Sequence, residues 1–247
     1  MLKKLLPCLL SLFGFIPAAS AQQSLLWKVS GKGMQQPSYI FGTMHMMCKS
    51  DYFMPPAVKT AVQKADTVYL ELDMDDPFML IRVGQLSQLP EGKTLDKIFP
   101  PKDYAELNRF FKDSLNMDLS VLNGFKPFVV MAMMAKNNFK CKTLLSYEED
   151  FVKMAKAQHK EIKGLETPDQ QMAAVDAISE KDGVKMIMRS VRETKETNLE
   201  FQEMLKLYKQ QNLNGLYKLM EKNKDLDGYD RCCSINATAT GYRRSSK

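Results

Sequence analysis

The segment Thr67-Val-Tyr-Leu-Glu-Leu-Asp73 constrains this chain more than any other. Side chains along a strand alternate between its two faces, so Val68, Leu70 and Leu72 share one face and Tyr69, Glu71 and Asp73 the other. A strand with one wholly apolar face needs a second layer to cover it. Other short extended runs accompany it. Leu25 to Val29 reads as a strand, Gly31-Lys32-Gly33 turns the chain, Ser38 to Phe41 reads as its pairing strand, and Lys160 to Leu165 is a further short strand.

Long helical stretches lie between these runs. Pro55-Pro56 opens a helix with Val58, Ala61, Val62 and Ala65 at helical spacing. Pro77 to Asn138 reads as helical, with breaks near Pro90, Pro100-Pro101 and Pro127. Within it the apolar run Phe128 to Ala135 reads as core. Ser146-x-x-Glu149 and Thr167-Pro168-Asp169-Gln170 are capping boxes, and helices then fill Ala173 to about Glu221, interrupted near Gly183 and Asn212. The expected fold is α/β (α+β): a central, mostly parallel sheet with many surrounding helices and a helix-rich insertion in the middle.

Composition excludes several classes. Of 247 residues, 45% are hydrophobic and 26% charged, which excludes a disordered or low-complexity chain. The net charge of +6 is scattered, and no basic patch is interleaved with aromatics, so no nucleic-acid partner is expected. Two histidines are too few for a His-rich metal site, so any metal must lean on carboxylates.

The first residues read as a targeting segment. Lys3 and Lys4 precede an apolar run from Leu5 to Pro17, about 13 residues and too short to span a bilayer, and Ala19-Ser20-Ala21 is a cleavage pattern. Residues 1–21 are therefore expected to be a signal peptide, and the mature chain to be exported, to periplasm or outside, with no transmembrane segment. Export permits disulfides. The cysteine spacing shows no disulfide framework, however, and Cys48 and Cys141 are read as free or incidental.

Three strands end in groups that could bind a metal. Ile40-Phe41 runs into Gly42-Thr43-Met44-His45, Val68 to Leu72 contains Glu71, and Glu161 to Leu165 runs into Glu166. If those strands lie parallel, their ends meet at one edge of the sheet, where open α/β sheets place ligand sites. Gly42 suits a tight exit. One imidazole with carboxylates suits Mn²⁺, Co²⁺ or Zn²⁺, and such an ion activates water for hydrolysis. Each residue also has a plainer use. His45 can be a satisfied structural histidine, and Glu71 can face solvent. Glu166 and Glu148 can complement helix dipoles. Glu149 is the acid of a capping box, and His159 reads as an exposed helix-end residue.

Pro37-Ser-Tyr-Ile-Phe-Gly-Thr-Met-His45 resembles the opening motif of the TraB/GumN family, whose TIKI branch comprises metal-dependent proteases. Met54-Pro55, Ala65-Asp66 before Val68 to Asp73, Ser146-Tyr-Glu-Glu, and Lys163-Gly-Leu-Glu-Thr167 followed by Gln170 extend the resemblance in order, over roughly Leu25 to Tyr229. The resemblance implies an α/β fold and an exported metal-dependent hydrolase, possibly a peptidase, acting on a peptide or small molecule. By resemblance His45 is a metal ligand and catalytic residue, and Glu71 a ligand or general base. Glu148 and Glu166 are further ligands or support the ligands from behind.

The end of the chain departs from that pattern. Related sequences continue with a leucine-rich turn, an Arg-Asn-x-x-Trp motif, a strand and a second Gly-x-x-His, whereas residues 231–247 are polar and without hydrophobic period. Written in permitted codons and read from the last base of the Asp230 codon, the same stretch yields a leucine run followed by Arg-Asn-Arg-Asp-Trp. Residues 22–230 are therefore expected to form one TraB/GumN-like domain, incomplete at its C-terminus. The tail 231–247 is read as a frameshift product that impairs the site. The alternative is a non-catalytic envelope ligand-binding protein or an inactive remnant.

Overall fold

The computed structural model describes residues 24–222, so the expected signal peptide and the departing tail both lie outside the described residues. The chain opens with a hairpin of β1 (Leu26–Val29) and β2 (Ser38–Phe41), antiparallel with Leu26 opposite Phe41. Its turn uses Gly33 at φ +94°, a conformation that side chains with a Cβ rarely adopt. After a loop come β3 (Met47–Cys48) and α1 (Pro56–Lys64), whose proline occupies the first helical turn, where no amide partner is needed. Then β4 (Thr67–Leu70) keeps the expected alternation, with Val68 and Leu70 buried and Tyr69 exposed.

The middle of the chain is helical. It runs through α2 (Met79–Leu86), α3 (Leu95–Ile98), α4 (Pro101–Leu115) and α5 (Pro127–Asn137), with breaks at the expected prolines. The chain leaves α4 through Asn116 in the left-handed region, φ 51°. The second half holds β5 (Leu144–Leu145), α6 (Tyr147–Ala157), β6 (Glu161–Gly164), α7 (Pro168–Asp176), α8 (Glu180–Arg192), α9 (Thr194–Lys209) and α10 (Leu213–Lys222). The mixture is α/β, as expected.

The sheet itself differs from expectation. Among the described residues the strands pair two by two: β1 with β2, β3 with β5, and β4 with β6, and only the last pair is parallel. β2 and β4, expected in one sheet, are separated by a cleft of about 670 Å³ floored by Val58 and Ala61 of α1 and Phe151 of α6. With strands of two to four residues, no ladder is long enough to draw the pairs into one sheet.

Two apolar clusters hold the molecule. One joins the strands to α1, α6 and α9 through Leu25, Met47, Val58, Val68, Leu70, Tyr147, Phe151, Ile162, Leu205 and Tyr208. The other fills the helical insertion with Leu95, Phe99, Leu107, Phe111, Leu119, Val130 and Met134, closed by Ile187 and Met188 of α8. The run Phe128 to Ala135 is thus core, through Val130 and Met134.

Two details correct the sequence reading. Gly183 does not break a helix but lies buried inside α8, where a Cβ would stand 3.9 Å from the Cβ of Pro127 on the neighbouring α5. Cys48 and Cys141 are not free: they form a disulfide across a sequence separation of 93. Pairing over such a distance is a property of the folded chain and leaves no spacing signature.

Candidate active site

The loop that leaves β2 carries Gly42, Thr43, Met44 and His45. It is tied down from below, because the hydroxyl of buried Tyr208 on α9 donates to the Gly42 carbonyl at 2.9 Å. A Cβ at Gly42 would meet only Leu25, at 3.8 Å, so close approach does not require this glycine. The glycine that space does require is Gly164, at the end of β6, where a Cβ would lie 2.8 Å from the Asp73 amide nitrogen and from the Glu166 carbonyl oxygen.

Glu148 enters the same place from the first turn of α6. It is buried, and its carboxylate is filled with donors. Thr43 Oγ1 donates to Oε1 at 2.6 Å, and Ser146 Oγ donates to Oε2 at 2.7 Å. His45 Nδ1 stands 3.1 Å from Oε1. Burial pushes the Glu148 carboxyl up, but the hydrogen bonds from His45, Thr43 and Ser146 outweigh it and hold the group at about 2. It is therefore ionised at neutral pH and can only accept, so Nδ1 of His45 must carry the hydrogen. The same hydrogen bond raises the imidazole pKa above 6.5. Burial opposes the rise, and the negative charges of Glu148 and Glu71 add to it.

With Nδ1 committed, the neutral His45 ring presents its Nε2 lone pair outward. Glu71 faces it, Oε2 at 3.9 Å from Nε2, and both side chains are more than half exposed. Glu71 lies just beyond β4, and Gln171 of α7 donates to its Oε2 at 3.1 Å. α7 begins with the expected capping box, Thr167 and Gln170 bonding reciprocally, which fixes the turn that delivers Gln171. Glu166 approaches through its backbone: its amide donates to the Glu71 carbonyl at 3.0 Å. Its side chain makes no hydrogen bond or ion pair among the described residues.

The structure thus brings together His45, Glu71 and Glu148, and leaves the Glu166 carboxylate outside the cluster. Thr43, Ser146 and Gln171 join it. Thr43 lay inside the motif, and Ser146 was already read as a cap. Gln171 carried no signal of its own beyond its place one residue after the capping box. His159 is exposed at the end of α6 with φ 52°.

Could this set hold a divalent ion? Two donors on a tetrahedral zinc ion, each at about 2.0–2.2 Å, stand roughly 3.4 Å apart; Nε2 and Oε2 are 3.9 Å apart on two exposed side chains, so a small approach brings them to that separation. A histidine that gives its other ring hydrogen to a carboxylate has the orientation and basicity of a metal ligand. The imidazole–carboxylate pair suits Mn²⁺, Co²⁺ or Zn²⁺. The pair supplies two donors: among the described residues no three His, Cys, Asp or Glu side chains converge on one point.

An α/β protein with a buried carboxylate orienting a histidine beside a second, open carboxylate is the class that fold and site define. The family model for the TraB/PrgY/gumN family matches residues 25–237, and the chain belongs to that family. The match reaches into the segment read as the altered tail. Among curated proteins, the chain is 35% identical over 91 residues to Metalloprotease TIKI1 of Xenopus tropicalis, covering 36% of this chain and 17% of that protein. It is 33% identical over 94 residues to human Metalloprotease TIKI1, covering 38% and 18%, and 33% identical over 87 residues to Metalloprotease TIKI2 of Danio rerio, covering 35% and 17%. The matched stretch spans less than a fifth of each of these relatives. No solved structure matches the chain.

Proposed function

We infer that this protein is an exported hydrolase that depends on a divalent metal and cuts peptide bonds at the cluster of His45, Glu71 and Glu148. One observation carries the reading: the His45 ring has its Nδ1 hydrogen committed to a buried carboxylate, and its Nε2 faces an open one across 3.9 Å. The curated relatives, named metalloproteases, support the same reaction class. His45 and Glu71 would hold the ion, with Glu148 orienting His45. A bound ion would supply Lewis acidity for a carbonyl and for water near neutral pH.

The chain's own residues supply the rest. Glu148, locked by three donors, keeps the imidazole in one tautomer. Gln171 donates to Glu71 Oε2 and so holds that carboxylate beside His45 as the second donor of the pair. Thr43 holds Glu148 in its ionised, accepting form. The cleft between β2 and β4, which Thr43, Glu71 and Glu148 help to line, is the space for substrate.

Export is supported by the tripartite pattern of residues 1–21 and by the Cys48–Cys141 disulfide, which persists in oxidising compartments. No helix among the described residues is long and apolar enough to cross a membrane. A second reading, a ligand-binding or inactive form, is favoured by the count of two donors rather than three among the described residues. Turnover of a quenched fluorescent peptide library with Mn²⁺, Co²⁺ or Zn²⁺ separates them. The hydrolase reading expects metal-dependent cleavage that disappears in both His45→Ala and Glu71→Gln. Ligand binding without turnover under every metal would establish the second reading.

A further inference from the structure

We propose that the Cys48–Cys141 disulfide is the positioning device of this site: it keeps His45 seated on Glu148, and opening it releases that pair while the rest of the chain stays folded. The proposal rests on the hydrolase reading only for its metal readout.

His45 and Glu148 are 103 residues apart in sequence, yet their side chains meet at 3.1 Å. The segments that carry them are joined immediately alongside. β3 starts two residues after His45, and β5 ends three residues before Glu148. The ladder between them is minimal: Met47 opposite Leu145, Cys48 opposite Leu144, and one further bond from the Lys49 amide to the Thr143 carbonyl at 3.0 Å. A two-residue ladder is marginal by itself. The disulfide closes its outer end, between Cys48 and Cys141. It thereby shuts the neck of the long excursion that contains α1 through α5 and carries Glu71.

Other bonds across the neck run from the segment after Cys48 to α6. The Tyr52 hydroxyl donates to Asp150 at 2.6 Å, and the buried Tyr147 donates to the Phe53 carbonyl. These anchor α6 whether or not the disulfide is closed. The loop Gly42–His45 is held by Tyr208 at Gly42, by the Thr43–Glu148 hydrogen bond in its middle, and at its far end by β3, whose Met47 is buried. With the disulfide open, the β3 end of that loop keeps buried Met47 and a marginal two-residue ladder, and the imidazole, 68% exposed, loosens from Glu148 as a local event. Cys48 and Cys141 are only partly buried and border an open cavity of about 800 Å³ along α9, so a dissolved dithiol reaches them.

The chain's two histidines make the test direct. In a Cys232→Ser/Cys233→Ser background, the protein is labelled at the imidazole nitrogens and observed at alkaline pH. It is compared oxidised, with Cys48→Ser/Cys141→Ser added, and after reduction by dithiothreitol. That reagent delivers two electrons and two protons to the disulfide, giving two thiols, and is itself oxidised to its cyclic disulfide. Exposed His159 is the internal reference. The expected result is a single Nδ1–H tautomer for His45 in the oxidised protein. In both opened forms a tautomer mixture like that of His159 should replace it, with unchanged far-ultraviolet dichroism, and the Cys48→Ser/Cys141→Ser form, measured without dithiol, should bind Co²⁺ at least tenfold more weakly. A retained Nδ1–H tautomer in a folded, opened form would overturn the proposal. So would global unfolding of both opened forms, since the disulfide would then be holding the fold and not the pair. If the oxidised protein binds no Co²⁺, the metal reading fails while the tautomer comparison still decides the proposal.

Discussion

At the scale of single residues, Glu148 is the hinge of the electrostatics. Its folded carboxyl sits at about 2, below the ordinary 4.5, so the stability it contributes is fully present above 4.5 and is lost as pH falls toward 2. By linkage that stability is on the order of 3 kcal/mol at neutral pH. Glu148→Gln should therefore lower the denaturant midpoint at pH 7 and make little difference at pH 2, a comparison that equilibrium unfolding at the two pH values decides. His45 runs the other way. Its folded pKa is raised above 6.5, so its contribution is present below 6.5 and fades as pH rises through the folded value. A metal competes with the proton on Nε2. Co²⁺ affinity should accordingly climb with pH until His45 is neutral and then level off, and in Glu148→Gln the climb should move to lower pH. Calorimetric titrations across pH 5 to 9 would trace both curves.

At the scale of elements, β4 and β6 show what the sequence could and could not say. The alternation from Thr67 located β4 and its buried face, since Val68 and Leu70 must turn inward together. The prolines and the Thr167 capping box located helix starts because each acts through its own few backbone atoms. The pairing of the strands was not legible: two-to-four-residue strands carry too little pattern to choose partners, and in place of the expected single sheet the described residues form three pairs. Gly42 and Gly164 teach the same lesson. Both follow or end a strand, and only the folded contact between Gly164 and the Asp73 backbone separates the required glycine from the tolerated one. Gly164→Ala should force that backbone apart and destabilise the protein by about 1–3 kcal/mol. Because the Glu71 carbonyl is bonded to Glu166 beside it, the shift should also move Glu71 away from His45. Thermal unfolding would read the first effect, and weaker Co²⁺ binding relative to a Gly42→Ala control the second.

At the scale of the whole molecule, the two apolar clusters divide the work. His45 and Glu148 stand on the cluster of Met47, Tyr147 and Tyr208, while Leu107, Phe111 and Val130 fill a separate one in the helical insertion. Of the site, His45, Glu71 and Glu148 were legible as residues because strand ends and a resemblance marked them. Their arrangement, with Glu148 behind His45 and Glu71 in front, depends on contacts between distant segments: His45 with Glu148, 103 positions apart, and Gly42 with Tyr208 of α9, 166 apart. An ion that binds only the folded form stabilises it by mass action, by about 2.7 kcal/mol at one hundred times its dissociation constant. For a chain of this size that corresponds to roughly 5–10 °C in the unfolding temperature. Phe111→Ala empties a wholly buried position and should remove about 3–5 kcal/mol from the helical cluster. If the two clusters unfold separately, Co²⁺ should slow hydrogen exchange at Val68, Leu70 and Ile162 in wild type and in Phe111→Ala alike, and leave α4 and α5 unprotected in the variant. If they unfold as one unit, Co²⁺ should restore protection to α4 and α5 in the variant by the same increment it gives the strands.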